Sequence, residues 1–299
     1  MSLLIEVEQL TKRYGDKTAL DKVEFSLEKG APVALVGPNG AGKTTLFSLL
    51  CGFIQASSGK IRILGHSPGH SALFGRLSAL PQDAQLDPRF SIAGQLNFYA
   101  RLQGMNHRAA QKDTARVLDM VGLSDARESR PSELSHGMRK RATIAQALLG
   151  SPDIVMLDEA TAGLDPANAK EVRAIVAEQS GNVNFILSSH DLSELERLCD
   201  QVLYLENGQL KQHQTLAVDG KSRFITLRMK QEHSNIMPEI LQISGVSHVK
   251  MTQDREYLLT IINEQDNANI ELNLLSVLQK NNWSYAQFIN GKTLENQLF

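Results

Sequence analysis

The sequence predicts an α/β fold with a parallel sheet, followed by a smaller α+β domain. Pro32–Val36, Asp153–Leu157 and Asn184–Leu187 are continuous apolar runs, each flanked by helix-like segments. Runs of this kind are typical of parallel strands that helices cover on both faces. A glycine-rich segment also follows the first run and opens a helix, which is the order of elements in phosphate-binding folds.

The amino-terminal segment predicts an antiparallel sheet at the edge of this fold. Leu3–Glu8 and Val23–Glu28 alternate apolar and polar residues, as half-buried strands do. The turn-like stretch Tyr14–Lys17 lies between them. We therefore expect a separate antiparallel β subdomain before the parallel core.

Residues 87–150 predict a helical insertion. Apolar positions recur at helical spacing in Ile92–Leu102, Ala109–Val121 and Arg139–Leu149, and no segment between Asp87 and Gly150 has a convincing strand pattern. We expect a helical subdomain over this range.

The chain then predicts a strand, a turn and a domain boundary. Asn207–Gly208 after Gln201–Glu206 is a strong hairpin signal, and the polar stretch His213–Lys221 is typical of a linker. We expect a first domain over residues 1–214, a linker over 215–222 and a second domain over 223–299. The second domain predicts strand Phe224–Met229, helix Asn235–Ile243, strand Val246–Met251, strand Glu256–Ile262, helix Ile270–Lys280 and strand Trp283–Ile289.

Composition limits the classes of partner. The 299 residues carry a formal net charge of −2, which does not favour nucleic-acid binding. Cys51 and Cys199 are the only cysteines and predict reduced thiols in a cytoplasmic protein. The apolar runs are shorter than a membrane span, and the first eight residues do not resemble a signal peptide. Any membrane role is expected to come through a partner.

The glycine-rich segment matches the phosphate-loop pattern. It consists of Gly37, Pro38, Asn39, Gly40, Ala41, Gly42, Lys43 and Thr44, with Thr45 adjoining it. Glycines allow backbone N–H groups to turn around an anion, a lysine reaches the outer phosphates and a hydroxyl serves magnesium. The alternative is a glycine-rich turn before a helix, which the eight matching positions and their flanking elements disfavour. We expect ATP and Mg²⁺ to bind here.

Two carboxylates end the second apolar run. Asp158 lies at the end of the predicted strand Asp153–Leu157, where a parallel sheet meets its ligand, and is a candidate magnesium ligand. Glu159 follows it and is the candidate general base that polarises an attacking water. Two solvated acids at a strand end are the alternative interpretation.

Taken together, residues Leu3 to Gln212 resemble the ATP-binding cassette (ABC) ATPases. The resemblance implies that Tyr14 stacks on adenine, and that Gln82 contacts magnesium and senses a membrane partner. It also implies that Ser135 and Gly137 bind the γ-phosphate of the opposite subunit's ATP. Taken alone, a tyrosine such as Tyr14 is more often a packing residue, Gln82 is an ordinary loop residue, and Ser135 is also explained as a helix N-cap.

Further family positions follow in the expected order. Asp165, in Ala162-Gly163-Leu164-Asp165, resembles the loop that links the two ATP sites of the dimer, although it can also be a helix N-cap. His190 resembles the switch histidine that touches the γ-phosphate and, with Lys43 and Glu159, completes the expected catalytic set.

The chain also departs from the family pattern. His136 and Met138 replace the first glycine and the glutamine of the usual Leu-Ser-Gly-Gly-Gln segment. Bulk at His136 can hinder the approach of phosphate, whereas its ring can add a donor. Ala160 follows Glu159 where many relatives have proline. We expect these departures to reduce the efficiency of the ATPase rather than to abolish its function.

Near the end of the chain, Thr293-Leu294-Glu295 resembles the ending of a short domain on exporter-type ABC ATPases. A generic dimerisation or stabilising appendage is the alternative.

The sequence therefore predicts the ATPase subunit of an ABC transporter. The expected form is a homodimer around two ATP molecules that drives separate integral membrane permease subunits, with export favoured, at the cytoplasmic face of a membrane. The alternatives are a soluble ABC ATPase acting on ribosomes or DNA, and a nucleotide-dependent regulatory module with weak catalysis. The cargo is not encoded in this chain.

Overall fold

The computed structural model describes residues 3–190, 195, 198–199, 201–215, 222–233, 235–262 and 270–291. The chain forms two compact units, Met1–Thr215 and Leu216–Phe299. Within the described residues, no helix combines the length and the apolar character needed to cross a membrane.

The first unit alternates strands and helices after an initial hairpin. Its elements in chain order are β1 (Leu3–Tyr14), β2 (Lys17–Glu28), β3 (Val33–Val36), α1 (Lys43–Leu50), β4 (Ser58–Ile63), β5 (Leu77–Leu80), α2 (Ile92–Leu102), α3 (His107–Met120), α4 (His136–Ala147), β6 (Ile154–Asp158), α5 (Pro166–Gln179), β7 (Asn184–Ser189), β8 (Gln201–Glu206) and β9 (Gln209–Thr215).

A six-stranded sheet forms the centre of this unit, in the order β5-β6-β7-β3-β8-β9. The first five strands are parallel, and β9 pairs antiparallel with β8. Every residue of β3, β6 and β7 is buried, as their continuous apolar sequences predict. The predicted α/β class is therefore confirmed. Because parallel strands end at the same edge, Val36, Asp158 and Ser189 reach one side of the sheet together.

The predicted antiparallel sheet has one strand more than expected. β1 lies between β2 and β4, and pairs antiparallel with both. Leu10 and Leu20 from this sheet, Leu46 from α1 and Met156 from β6 belong to one fully buried apolar cluster. Burying a leucine side chain contributes about 1.5–3 kcal/mol, so this shared core fixes α1 against both sheets.

The helical subdomain over residues 87–150, all of which the structure describes, contains no strand. Ser91, Asn106 and Ser135 cap α2, α3 and α4 respectively, each by accepting a backbone N–H. α4 begins at His136, three residues before the predicted start at Arg139. The Ser135 cap explains this difference, because it satisfies the N–H groups of the added turn.

Two strands escaped the sequence analysis, and the linker is shorter than predicted. β4 fully buries only Ile63, and β5 has only four residues, so neither shows a strong pattern. β9 extends through Thr215, and the next strand begins at Ser222, so the ends of the predicted linker 215–222 belong to strands. Residues 216–221 lie outside the described residues.

The second unit has the order βαββαβ that the sequence predicts. Its elements are β10 (Ser222–Met229), α6 (Ile236–Leu241), β11 (Val246–Gln253), β12 (Glu256–Ile262), α7 (Ile270–Lys280) and β13 (Tyr285–Asn290). The strands form an antiparallel sheet in the order β11-β12-β10-β13, which is the ferredoxin-like arrangement. Ile225, Leu259 and Leu274 belong to its separate apolar core. The segment Thr293-Leu294-Glu295 lies outside the described residues.

Candidate nucleotide site

The loop between β3 and α1 has the backbone of an anion cradle. Gly40 and Gly42 adopt left-handed conformations with φ of 82° and 107°, which glycine reaches without steric cost. The N–H of Ala41 donates to the carbonyl of Pro38 at 3.1 Å, and Gly42 is the N-cap of α1. Since Gly42 has no side chain to cap the helix, the first N–H groups of α1 are available to a bound anion.

Two glycines of this loop are required by close neighbours. A Cβ atom on Gly37 would lie 2.0 Å from the carbonyl oxygen of Leu205 in β8. A Cβ atom on Gly42 would lie 2.8 Å from the carbonyl oxygen of Ala19 in β2. Both sheets therefore press directly on the loop and fix its path, which leaves no room for side chains there.

Lys43 is held inside this cradle. Its Nζ donates to the carbonyl of Gly37 at 2.6 Å and approaches that of Pro38 at 3.4 Å. The same nitrogen lies 4.0 Å from Oε1 of Glu159, and Lys43 is only 7% exposed. A buried ammonium with a carboxylate on one side and a loop built for anions on the other is suited to bind terminal phosphates.

Thr44 and Asp158 face each other across the ends of α1 and β6. The hydroxyl of Thr44 lies 3.4 Å from Oδ2 of Asp158, and Asp158 is buried. Its other oxygen, Oδ1, accepts a hydrogen bond from the hydroxyl of Ser188. This pair of oxygen ligands fits Mg²⁺, which usually takes one or two protein oxygens and completes its shell with substrate phosphates and water. A cluster of three or more His, Cys, Asp or Glu side chains for a metal is absent from the described residues.

Glu159 has an unusual backbone. Its φ is 50°, in the left-handed region that non-glycine residues rarely occupy. Two hydrogen bonds stabilise this strained conformation: its N–H donates to Oγ of Ser188 at 3.0 Å, and its carbonyl accepts the N–H of Ala162 at 3.2 Å. These contacts turn the carboxylate out of the strand direction and toward the phosphate loop.

His190 contacts Glu159 directly. Its Nδ1 lies 2.8 Å from Oε2 of Glu159, and the imidazole is 56% exposed whereas the carboxylate is 9% exposed. Because the carboxylate is an acceptor only, Nδ1 carries the proton in this contact. The second ring nitrogen, Nε2, is therefore left for a ligand.

Tyr14 lies at the hairpin between β1 and β2, where Tyr14 pairs with Lys17. Its ring is 49% exposed, and Nζ of Lys12 lies 4.9 Å from its centroid. The exposed area would allow stacking with a flat base, and the cation over the ring occupies part of that area, so the adenine-stacking role stays a prediction.

Gln82 lies in the loop after β5 and lines a cleft against α4. Ser135 caps α4: its Oγ accepts the N–H of Met138 at 3.2 Å, and its own proton is free to donate elsewhere. His136 is exposed at the first position of the helix. The structure thus provides the capping role for Ser135 that the sequence left open, and this role is compatible with phosphate binding.

Gly137 and Asp165 are joined by a residue that the sequence analysis did not single out, Asn168. A Cβ atom on Gly137 would lie 1.8 Å from Oδ1 of Asn168. Nδ2 of Asn168 donates to Oδ2 of Asp165 at 2.5 Å, and Asp165 caps α5 by accepting the N–H groups of Ala167 and Asn168. The backbone and side-chain hydrogen bonds from Asn168 lower the pKa of the Asp165 carboxyl. The first turn of α4 is therefore packed against the first turn of α5.

The predicted site residues fall into two groups. Lys43, Thr44, Asp158, Glu159 and His190 converge at the carboxyl edge of the sheet. The other group is Tyr14, Gln82, Ser135, Gly137 and Asp165, and no hydrogen bond joins it to the first within the described part of the chain. Ser188, which holds both carboxylate residues, was hidden in a polar strand end and gives no sequence signal of its own.

The parallel sheet, the anion-binding loop and the paired carboxylates define a phosphate-loop nucleoside triphosphatase. The family model described as "ABC transporter" matches residues 20–162. Over 212 residues, the chain is 35% identical to Nod factor export ATP-binding protein I of Ralstonia nicotianae, covering 69% of this chain and 65% of that protein. It is 32% identical over 253 residues to YxlF of Bacillus subtilis, an uncharacterized ABC transporter ATP-binding protein, covering 84% of this chain and 85% of the relative.

A solved structure of an ATP-binding subunit of an ABC transporter superposes with a TM-score of 0.64 at 29% identity, covering 71% of this chain and 90% of that one. The chain belongs to the ABC transporter family, as one of its ATP-binding proteins. The family resemblance and the ATPase class predicted from the sequence are confirmed at this level.

Proposed function

We propose that this chain hydrolyses Mg²⁺-ATP as a homodimer and thereby drives separate membrane permease subunits. The observation that carries the proposal is the contact of Glu159 with His190 and Lys43, beside the facing oxygens of Thr44 and Asp158. Such an arrangement can bind a terminal phosphate, neutralise its charge and orient an attacking water.

Each side chain has a distinct task in this proposal. The loop N–H groups and the ammonium of Lys43 bind the phosphates, while Thr44 and Asp158 hold the magnesium ion, which would neutralise phosphate charge. Glu159 accepts the proton of the attacking water. His190 donates Nδ1–H to Glu159 and so fixes the carboxylate, with Nε2 left to sense the γ-phosphate. Tyr14 stacks on the adenine, and Gln82 contributes to the metal and γ-phosphate region.

The homodimer supplies what one copy lacks. Ser135 and Gly137 belong to the group of predicted residues that is separate from the catalytic edge, so in one chain they do not complete the site. A two-fold dimer would place the α4 terminus of each copy against the phosphate loop of the other and build two equivalent sites. Gly137 packs on Asn168, and Asn168 in turn contacts Asp165. Through these contacts, a structural change at one ATP site would reach the loop beside the other ATP site.

An exposed apolar patch supports the permease partner. Phe90, Phe98 and Leu102 are 55%, 58% and 60% exposed. Phe98 and Leu102 are four residues apart in α2 and so share one helix face. Large exposed apolar residues grouped on one element favour contact with another protein. Export is favoured because a relative at 35% identity is named for Nod factor export. This role would place the chain at the cytoplasmic face of a membrane.

The Glu159→Gln variant tests the hydrolytic role. The amide keeps the shape of the side chain but cannot accept the proton of water, so we expect at least a hundredfold loss of phosphate release with ATP binding retained. We also expect ATP to trap the variant as a dimer, measured by light scattering. Glu178→Gln, at an exposed position of α5, is the matched control and is expected to turn over normally.

The opposite result would remove Glu159 from its role: phosphate release from Glu159→Gln at the rate of the parent protein. Purification from membranes separates the transporter subunit from a soluble ABC ATPase, since the first is retained with an integral membrane protein and the second sediments with ribosomes or DNA. A basal rate equal to that of Lys43→Ala would instead favour a nucleotide-binding regulatory module.

A further inference from the structure

A cleft of 530 Å³ opens beside the catalytic edge, between the loop that follows β5 and the first turns of α4. Residues from three segments form its walls, among them Gln82, Asp83, His136, Arg139, Lys140 and Ala162. None of the tasks assigned above to the hydrolytic site uses His136, Arg139 or Lys140.

The cleft is basic. α4 contributes His136, Arg139 and Lys140 to its walls, whereas Asp83 is the only carboxylate among the described residues that line it. The amine of Lys140 has no hydrogen-bond or ion-pair partner within the described residues. A cationic wall with an unpaired amine favours an anionic ligand, because the free-energy cost of burying a charge is lower when an opposite charge lies beside it.

Arg139 is held in position for such an occupant. Its Nη1 donates to the carbonyl of Leu134 at 2.6 Å and lies 3.4 Å from that of Pro131. The other guanidinium nitrogens, Nε and Nη2, make no hydrogen bond within the described residues. Arginine binds oxyanions through such paired donors, and the anchored Nη1 reduces the entropy lost when an anion binds.

The inner end of the cleft adjoins the hydrolytic residues. Ala162 lines the cleft, and its N–H donates to the carbonyl of Glu159 at 3.2 Å. Burial lowers the pKa of Lys140, and the carboxylates of Asp158 and Glu159 oppose this effect, so their charges reach the amine. The wall of the cleft at Ala162 is therefore one backbone hydrogen bond away from the catalytic carboxylate residue.

We propose that this cleft, through Lys140 and Arg139, binds the inorganic phosphate product before it reaches solvent. The inference rests on the proposed hydrolysis, because hydrolysis of ATP is what would supply the phosphate. The anion moves away from the carboxylates of Asp158 and Glu159, which repel it, and toward cations that attract it.

Equilibrium dialysis of the full chain with radiolabelled inorganic phosphate, in the absence of nucleotide, tests this site. The parent for the measurement carries Lys43→Ala, which weakens phosphate binding at the loop itself. We expect saturable binding of one phosphate per chain. A second substitution, Lys140→Gln, is expected to weaken binding about tenfold or more, because a charged hydrogen bond is lost. Lys140→Arg should retain binding, and Lys112→Gln, at an exposed position of α3, should have no effect.

Two outcomes would overturn the inference: no saturable binding to the Lys43→Ala parent, or equal binding with and without Lys140→Gln. If Lys140→Gln instead leaves phosphate binding unchanged and abolishes stimulation by membrane fractions, the cleft belongs to a partner carboxylate. The measurement is independent of turnover. If the unsubstituted chain does not hydrolyse ATP, the proposed function fails whether or not the Lys43→Ala parent binds phosphate. If the unsubstituted chain hydrolyses ATP but the Lys43→Ala parent does not bind phosphate, only this inference fails.

Discussion

Whether replacing Gly137 by alanine stabilises or destabilises the first unit should depend on the residue at position 168. The new Cβ would lie 1.8 Å from Oδ1 and 2.2 Å from Cγ of Asn168, so the amide must retreat by more than about 1 Å and give up its contact with Asp165. Overpacking of this kind costs about 1–3 kcal/mol, whereas exchanging glycine for alanine in a helix stabilises by about 0.5–1 kcal/mol. The net effect of Gly137→Ala is a destabilisation of up to about 2.5 kcal/mol.

In the Asn168→Ala background the clash is absent, and only the helix term remains. Gly137→Ala should then stabilise the unit by about 0.5–1 kcal/mol. For a unit of about 200 residues, 1 kcal/mol shifts the midpoint of thermal unfolding by about 2–4 °C, which circular dichroism resolves. Trp283, the only tryptophan, lies in the second unit, so its fluorescence provides an internal control that should not shift.

The double-mutant cycle isolates the contact. If Gly137→Ala lowers the midpoint equally with Asn168 and with Ala at position 168, the two residues do not press on each other and the reasoning is refuted. If the contact between Asn168 and Asp165 links the start of α4 to the loop before α5, Gly137→Ala and Asn168→Ala should each lose phosphate-release activity, and the double variant should not regain it.

Two further predictions concern buried groups. Ser188→Ala leaves the N–H of Glu159 and one oxygen of Asp158 without their partner, which should destabilise the fold by about 1–3 kcal/mol and lower the folding midpoint by several degrees. Because both carboxylate residues lose this anchor, the kcat for ATP should also fall about tenfold to a hundredfold, whereas Ser180→Ala should keep the parent kcat. Burial, with a smaller contribution from the charge of Asp158, raises the pKa of the Cys51 thiol to about 12 from 9.0, so the folded protein retains a proton that the unfolded chain loses. Stability should therefore fall as pH rises from about 9 to 12, and Cys51→Ala should reduce that slope; an unchanged slope would contradict it.

The parallel core could be predicted from the sequence because strands that are buried on both faces have continuous apolar sequences. β12 and α7 in the second unit also begin and end where the pattern predicts. β4 was missed because only Ile61 and Ile63 of its six residues are large and apolar, and pairing with β1 orders the remaining polar residues. The extension of β9 into the predicted linker has the same cause, since its pairing with β8 orders a polar sequence.

The site divides in the same way. Residues whose chemistry depends on type and spacing, such as Lys43, Thr44 and Glu159, are visible as a motif. Ser188 and Asn168 act through hydrogen bonds and close contacts between segments distant in sequence, so their importance depends on the fold. The cleft along α4 is likewise invisible in the sequence, because its walls come from three separate segments.

The left-handed backbone of Glu159 has a consequence for protein engineering. Because a side chain costs about 1–2 kcal/mol in that conformation and glycine costs none, a search for stabilising substitutions would select glycine at position 159. The gain would remove the carboxylate on which turnover is proposed to depend. Selection for activity would thus favour glutamate at position 159, whereas selection for thermal stability would favour glycine. A variant library selected only for thermostability would be expected to accumulate inactive variants with this substitution.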